Sequence, residues 1–260
     1  MPAKSPASLC IIAGIPARYG STRFPGKPLA PLCGRPMIEH VYRRATACPL
    51  VSQVIVATDD ARIVAAVEAF GGRARLTRSD HPSGTDRLAE VFDSVECDLV
   101  VNIQGDEPLL DPRAIAQAIE PFFTDPSLQV STLKTRIGNR EALLSPHVVK
   151  VVTDAEGFAV NFSRRPDPPV EPEQQVDLKQ VAYFKHPGLY VYTRAFLLRF
   201  PRLAPTAREQ EERLEQLRIL EHGIPIKVVE TNYDPIGVDT PEDLAQAEAL
   251  LKKQQEGPGG

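Results

Sequence analysis

The 260-residue sequence lacks several features that define large classes of protein. No apolar run is long enough to cross a bilayer, so we expect no association with a membrane. The formal net charge is only −4, and the chain therefore lacks the broad basic face that is typical of nucleic-acid-binding proteins. Basic residues cluster only locally, between 18 and 27, which indicates a site for a small anion.

Cysteine is also scarce, and the four cysteines follow no pattern: Cys10, Cys33, Cys48 and Cys97. The absence of a CxxC pair excludes the common zinc sites, so the sequence predicts free thiols in a reducing compartment. Almost no apolar segment precedes Cys10, and the apolar stretch 9–15 therefore cannot be the core of a secretion signal. We expect a cytoplasmic protein.

The first half of the chain alternates between strand and helix patterns. Apolar runs predict buried strands at 9–15, 53–58, 73–77 and 98–104. Helical spacing or caps predict helices at 36–48, from 60 to 71, around 88–95 and from Asp111. This rhythm predicts an α/β fold with a doubly wound, largely parallel sheet. Ligands of such sheets bind beyond the carboxyl ends of the strands, at 16–28, 78–87 and 104–108.

The second half has a different pattern. A turn at 154–157 predicts a hairpin between strands 148–152 and 158–162, followed by a loop at 164–180. Further predicted elements are a strand at 183–192, a helix at 208–221, a strand at 226–230 and a helix that begins after Thr240. We expect one domain over 9–251, with flexible ends at 1–8 and 252–260.

The first motif that carries chemistry is the loop 16–28, which follows the first strand directly. Glycines at 20 and 26 allow backbone N–H groups to approach phosphate oxygens, and three cations supply charge: Arg18, Arg23 and Lys27. The loop is not a P-loop, because five residues separate the glycines and Lys27 is followed by Pro28 instead of Ser or Thr. The alternative interpretation is an exposed basic loop without a ligand.

Two carboxylate motifs indicate a metal site. Asp106 and Glu107 follow a glycine at the end of an apolar strand, and Asp239 directly precedes a well-capped helix. Magnesium bound to a triphosphate typically takes one or two protein carboxylates. The alternatives are that Asp106 caps a turn and that Asp239 only flanks the helix cap.

A fourth motif, at 81–87, leads from a loop into a helix. Ser83 and Arg87 provide a hydroxyl and a guanidinium for a base or ribose, although capping by Ser83 or Thr85 is an equally good interpretation. No Ser/His/Asp arrangement is visible, so we expect chemistry without a protein nucleophile.

Together these motifs resemble those of the 3-deoxy-manno-octulosonate (KDO) cytidylyltransferase family. The resemblance covers about 9–251 and is carried by PARYGSTRFPGKPL (16–29), SGTDR (83–87), QGDEP (104–108), LEQLR (214–218) and GVDTPEDL (237–244). Sialic-acid cytidylyltransferases usually have glycine and asparagine where this chain has Tyr19 and Pro28, which favours the KDO branch.

The resemblance implies a mixed sheet of the nucleotide-diphospho-sugar transferase type, with a smaller β-rich dimerisation segment at about 129–193. It implies a homodimer that converts CTP and KDO to CMP-KDO and diphosphate for lipopolysaccharide synthesis, with Mg²⁺ as cofactor. The implied catalytic residues are Arg18, Lys27, Asp106 and Asp239, of which the two aspartates bind the metal. The implied nucleotide-binding residues are Pro16, Ala17, Arg18, Arg23, Lys27, Ser83, Arg87 and Gln104. The implied sugar-binding residues are Arg164, His186, Tyr190, Glu215 and Gln216.

Three segments depart from the family pattern: Pro187 replaces an aliphatic residue, and 163–169 and 205–213 are altered. The departures lie on the sugar side, so they concern the identity of the acceptor and the dimer contact. The alternatives are a cytidylyltransferase for 8-amino-KDO or sialic acid, a nucleotidyltransferase for a neutral sugar phosphate, and a sugar-nucleotide binding protein without turnover.

Overall fold

In the computed structural model, the described residues are 9–20, 23–170 and 176–255. The predicted flexible N-terminus, 1–8, lies outside them, as does 256–260 of the predicted tail. Within the described ranges, the strands are Ile11–Ala17 (β1), Pro31–Leu32 (β2), Arg35–Pro36 (β3), Gln53–Thr58 (β4), Ala74–Leu76 (β5), Leu99–Asn102 (β6), Val130–Arg136 (β7), Lys150–Thr153 (β8), Ala159–Ser163 (β9), Phe184–Lys185 (β10), Tyr190–Thr193 (β11) and Ile226–Glu230 (β12).

The α-helices begin where the sequence offers caps. Asp60, Ser83, Asp111 and Asn139 each accept a backbone N–H at the start of a helix. The helices of the described ranges are Met37–Thr46 (α1), Ala61–Ala69 (α2), Gly84–Asp93 (α3), Pro112–Ile119 (α4), Pro121–Thr124 (α5), Arg140–Leu144 (α6), Arg194–Arg199 (α7), Ala207–Glu212 (α8), Gln216–Glu221 (α9) and Pro241–Gln255 (α10).

One mixed sheet forms the centre of the fold. Its strand order is β5-β4-β1-β6-β11-β7-β10-β8-β9, and β12 also pairs with β7. The strands from β5 to β6 are parallel, whereas β11 is antiparallel to both of its neighbours. The carboxyl ends of β1, β4 and β6 therefore meet at one edge, as the α/β prediction requires. The prediction of a doubly wound, largely parallel sheet is confirmed.

Each face of the sheet has its own apolar core, because buried strands alternate their side chains between the faces. One core contains residues of β1, α1, α2 and α4, such as Ile15, Val41 and Ile115. The other contains residues of α3, α7 and α9, such as Phe92 and Leu217. The second core extends to the aromatic side chains of β11 and reaches the edge where the candidate site lies.

Two predictions about local structure were wrong. The predicted strand 183–192 is divided into β10 and β11, with 186–189 between them. The predicted helix 208–221 is divided into α8 and α9, because Arg213 adopts a left-handed conformation with φ of 54°. Residues 252–255 belong to α10, so the predicted domain boundary at 251 lies within a helix. Among the described residues, no helix is long and apolar enough to span a membrane.

Candidate active site

The basic loop folds back on itself directly after β1. Gly26 has φ of 72°, a left-handed conformation that favours glycine, and its N–H donates to the carbonyl of Tyr19 at 2.9 Å. A short 3₁₀ turn, Lys27–Leu29, begins there. The turn directs Lys27 back toward the edge of the sheet. Ser21 and Thr22 of the motif lie outside the described residues.

Lys27 lies between the two predicted metal ligands. Its Nζ is 2.8 Å from Oδ2 of Asp106 and 3.1 Å from Oδ1 of Asp239, and only 12% of the side chain is exposed. Arg23 is also 3.1 Å from the other oxygen of Asp239. The structure thus brings together the cations of the first motif and the carboxylates of the second and third, as their order along the sheet predicted.

Backbone contacts hold the two aspartates close. The N–H of Val238 donates to the carbonyl of Asp106 at 2.9 Å, which joins the β6 turn to the segment before α10. Thr240 and Asp243 exchange hydrogen bonds at the start of α10, and the Asp243 carboxylate also accepts the N–H of Asp239. Asp239 is therefore fixed by a helix cap instead of by the cation alone.

A cavity of about 290 Å³ opens beside this cluster. Its lining includes most of the predicted nucleotide-binding residues, together with glycines and a proline that the sequence prediction missed: Pro16, Ala17, Arg18, Gly20, Arg23, Lys27, Pro28, Gly84, Gln104, Gly105, Asp106 and Asp239. A Cβ at Gly105 would lie 3.0 Å from the carbonyl oxygen of Pro16, and one at Gly84 would lie 2.9 Å from the Pro16 ring. Such close approach of three backbone segments explains the need for glycine.

The two aspartates fit a hard divalent cation. Both oxygens lie about 3 Å from the same ammonium nitrogen, so the site already accommodates positive charge between them. Carboxylate oxygens with space for phosphate and water are the donor set that magnesium prefers. No cluster of three or more metal-binding side chains exists among the described residues.

The other predicted nucleotide-binding residues occupy different positions. Arg18 is exposed, and its guanidinium donates to the carbonyl of His81 at 2.8 Å. Ser83 caps α3 and accepts the N–H of Asp86 at 3.1 Å. Gln104 lines the cavity and donates to the carbonyl of Gly188 at 3.3 Å.

Arg87 requires a correction, because it does not line the cavity. Its side chain is fully buried and lies 3.1 Å from the carboxylate of Asp59, while the guanidinium also donates to Thr77 and to the carbonyl of Arg78. A buried, paired arginine of this kind supports the 77–87 loop from behind.

A second cluster, made of His186, Tyr190 and Glu215, lies beyond Gln104 on the face of the sheet covered by α3. The His186 ring is 5.1 Å from the Tyr190 ring, measured between centroids, and 5.0 Å from that of Phe162. Burial lowers the pKa of His186 to about 3, so its imidazole is neutral at physiological pH.

The tautomer of His186 follows from one neighbour. The hydroxyl of Thr132 donates its only proton to the carbonyl of Leu189 at 2.7 Å. The contact of 2.9 Å between that hydroxyl and Nε2 of His186 must therefore be a donation from Nε2–H. Nδ1 is left as the acceptor. No sequence motif indicates this role of Thr132, because the contact arises from the pairing of β7 with β10 and β11, the two strands that flank His186.

Glu215 is held in the same cluster by Thr85, whose hydroxyl donates to Oε1 at 2.6 Å. Burial raises the pKa of Glu215, and this hydrogen bond partly opposes the rise. Gln216, the next residue, is 5% exposed, so it does not belong to a solvated helix surface. Arg164 lies nearby and donates to the carbonyls of Glu212 and Pro146.

Glu107 and Tyr233 form a buried pair behind the aspartates that the sequence prediction also missed. The Tyr233 hydroxyl donates to Oε2 of Glu107 at 2.9 Å. Burial raises the pKa of Glu107 to about 7, and the negative charge of Asp106 adds to the rise, whereas the hydrogen bond from Tyr233 lowers it. The pair ties the β6 turn to the segment that leads to Asp239.

The fold and the site define a sugar-nucleotide type of nucleotidyltransferase. Residues 11–228 match the family described as cytidylyltransferase. A solved structure of CMP:2-keto-3-deoxy-manno-octonic acid synthetase complexed with CTP superposes with a TM-score of 0.87 at 45% identity, covering 94% of this chain and 99% of the other. A putative glucose-1-phosphate thymidylyltransferase from Bacillus anthracis shares the fold, with a TM-score of 0.64 at 19% identity over 94% of this chain and 96% of that one.

The sequence relatives narrow the class. The 3-deoxy-manno-octulosonate cytidylyltransferase of Geotalea daltonii is 57% identical over 249 residues, which are 93% of this chain and 98% of the relative. That of Geotalea uraniireducens is 56% identical over 94% of this chain and 99% of the relative. The chain belongs to the 3-deoxy-manno-octulosonate cytidylyltransferase family.

Proposed function

We propose that this protein converts CTP and KDO to CMP-KDO and diphosphate, and so activates KDO for lipopolysaccharide synthesis. The observation that carries the proposal is the grouping of Lys27 with Asp106 and Asp239 beside a glycine-lined cavity, next to a neutral polar cluster around Glu215. The first is suited to a metal-bound triphosphate and the second to a hydroxylated acceptor. The family and the CTP-complexed relative support the same assignment.

In this reaction, the anomeric hydroxyl of the sugar attacks the α-phosphate in line and diphosphate leaves. No protein nucleophile is required, so the protein acts by positioning the reactants and neutralising charge. Lys27, Arg18 and Arg23 bind the triphosphate. Pro16, Ala17 and Gln104 line the cavity and contact the nucleotide. Ser83 also contributes to nucleotide binding, from its position as the N-cap of α3.

Asp106 and Asp239 would hold the Mg²⁺ ion that accompanies CTP. When bound, the ion would neutralise negative charge on the phosphates. Lys27, which contacts both carboxylates, lies where its ammonium group can also bind phosphate. The acceptor is held by His186, Tyr190, Glu215 and Gln216, with Arg164 at the edge.

We further propose a homodimer and a cytoplasmic location. The segment 129–193 ends the sheet in the edge strand β9, where the side chain of Val160 is 59% exposed, and Val181 of the same segment is 42% exposed. An apolar edge of this kind is suited to contact with a second copy. The four cysteines are free thiols, in agreement with a reducing compartment. Sedimentation of the purified protein tests the dimer.

The test of function is diphosphate release from CTP, measured with and without Mg²⁺ and with a panel of acceptors. KDO should be turned over with the highest kcat/KM, and omission of the cation should abolish release. The panel includes 8-amino-KDO, sialic acid and a neutral sugar phosphate. A higher kcat/KM with any of these would contradict KDO as the acceptor, and release from no acceptor would contradict an enzymatic role.

A further inference from the structure

Three polar side chains form a hydrogen-bonded series from the centre of the sheet to the acceptor cluster. The amide nitrogen of Asn102, at the end of β6, donates to the hydroxyl oxygen of Thr85 at 3.2 Å. The Thr85 hydroxyl then donates to Oε1 of Glu215 at 2.6 Å. Asn102 and Thr85 are essentially inaccessible, at 1% and 0% exposure. The series therefore joins β6, α3 and the residue before α9.

The donor and the acceptor of each hydrogen bond in the series can be assigned from the groups involved. Asn102 presents an N–H to Thr85, which leaves the single hydroxyl proton of Thr85 for the carboxylate of Glu215. One oxygen of Glu215 is thereby held in place. Its other oxygen, Oε2, is buried and accepts no hydrogen bond from the described residues.

Further unpaired polar atoms belong to residues that are near Glu215. The Tyr190 hydroxyl and the side-chain oxygen of Asn102 are also buried without partners among the described residues. Tyr190 pairs directly with Asn102 in the β6–β11 register, so their side chains lie on the same face of the sheet. Because buried polar groups without partners are costly, this group indicates a polar ligand that supplies the missing hydrogen bonds.

We propose that Thr85 and Asn102 are positioning residues for the acceptor, which act by holding the Glu215 carboxylate so that Oε2 accepts a hydroxyl of the sugar acid. The inference rests on the proposed function and deepens it. The amide nitrogen of Asn102 and the hydroxyl of Thr85 are used within the series and do not contact the acceptor. They fix the rotamer of Glu215 and prevent its carboxylate from turning toward another donor.

The Thr85 side chain is directed away from the nucleotide cavity, so its loss should affect KDO and not CTP. Gly84 lines the nucleotide cavity, whereas the Thr85 side chain is directed to Glu215. Loss of the Thr85 hydroxyl should therefore leave CTP binding unchanged. It should raise the KM for KDO by up to about tenfold, since a buried hydrogen bond is lost and the substrate contact is misaligned.

The experiment compares Thr85→Val, which keeps the shape and removes the hydroxyl, with Thr85→Ser, which retains it. The valine variant should raise the KM for KDO while the KM for CTP stays within about twofold of wild type, and the serine variant should restore wild-type KM. Thr85→Ala replaces the valine variant if thermal unfolding indicates loss of the fold. Ser131→Ala is the control, because it removes a buried hydroxyl that bonds only to the carbonyl of Ala118.

A double variant distinguishes positioning from a general structural role. If Thr85 acts through Glu215, Thr85→Val combined with Glu215→Ala should raise the KM for KDO no further than Glu215→Ala alone. Three outcomes would overturn this inference without affecting the proposed function. They are additive increases in the KM for KDO in the double variant, unchanged kinetics of Thr85→Val, and equal increases in the KM for CTP and for KDO. A wild-type enzyme without activity toward KDO would overturn the proposed function and this inference with it.

Discussion

The nucleotide end of the cleft and its acceptor end are built from different kinds of groups. At the nucleotide end, Lys27 contacts two partly exposed aspartates, and glycines remove side chains from the floor. At the acceptor end, a neutral histidine and a glutamate, both only partly exposed, lie with a buried tyrosine beside aromatic rings. Charge is thus concentrated where a triphosphate and a cation must be held, and neutral donors and acceptors are concentrated where hydroxyls must be distinguished.

Because of this difference, we expect substitutions at the two ends of the cleft to change the kinetics in different ways. Loss of a charged group at the nucleotide end should slow the reaction for any acceptor, because the developing charge is the same in each case. Loss of a hydrogen-bonding group at the acceptor end should instead weaken one substrate, because unpaired buried groups discriminate strongly between ligands.

The largest effect should come from the aspartates. Asp106→Asn and Asp239→Asn should each lower kcat by about a hundredfold or more, since a neutral amide no longer balances the cation. Steady-state diphosphate release over a range of Mg²⁺ concentrations measures this. Asp93→Asn, which alters an exposed carboxylate at the end of α3, is the control. Full activity in either site variant would remove that residue from the metal site.

A smaller and more selective effect is expected at the acceptor end. Glu215→Ala and Gln216→Ala should raise the KM for KDO by about tenfold with little change in the KM for CTP, because each removes a buried polar partner. Varying one substrate at a saturating level of the other separates the two constants. Equal increases for both substrates would mean that the two ends are not independent.

The remaining prediction concerns stability and pH rather than catalysis. The pKa of His186 is about 3 in the folded protein, below its ordinary value of 6.5. Between these two pH values, His186 is therefore protonated in the unfolded chain but neutral in the folded protein. The stabilisation is therefore complete above pH 6.5 and is lost as the pH falls toward 3, by up to about 1.4 kcal/mol per pH unit. His186→Gln should flatten this decline in urea unfolding between pH 7 and 4. Substitution of the exposed His147 by Gln should not change the slope, and an equally steep decline in both variants would contradict a buried neutral His186.

The nucleotide end could be predicted from sequence because its groups stand in contiguous motifs at strand ends. The pairing of β1 with β6 brings the loops that carry Lys27 and Asp106 to one edge, and the contact of Val238 with Asp106 adds the segment that carries Asp239. The position of the Arg87 side chain could not be predicted, because a motif does not reveal whether a long side chain turns into the core. Its guanidinium is satisfied by Asp59, a residue far from the motif.

The acceptor end could be predicted only through the family resemblance. His186 lies between two short strands, and Glu215 follows a left-handed residue that divides a helix which the periodicity predicted as continuous. Thr85, Asn102 and Thr132 reach the cluster through tertiary contacts of separate strands and helices. No pattern within a single segment encodes such contacts, so their roles had to come from the structure.

The most direct test of the two-ended site is the acceptor selectivity of Lys27→Met. The variant should lose about a hundredfold or more in kcat/KM. The ratio of kcat/KM for KDO to that for 8-amino-KDO should nevertheless equal the wild-type ratio, since Lys27 contacts only the carboxylates and the nucleotide cavity. A loss that depends strongly on the acceptor would place Lys27 in the sugar pocket and contradict the division of the cleft into a charged nucleotide end and a neutral acceptor end.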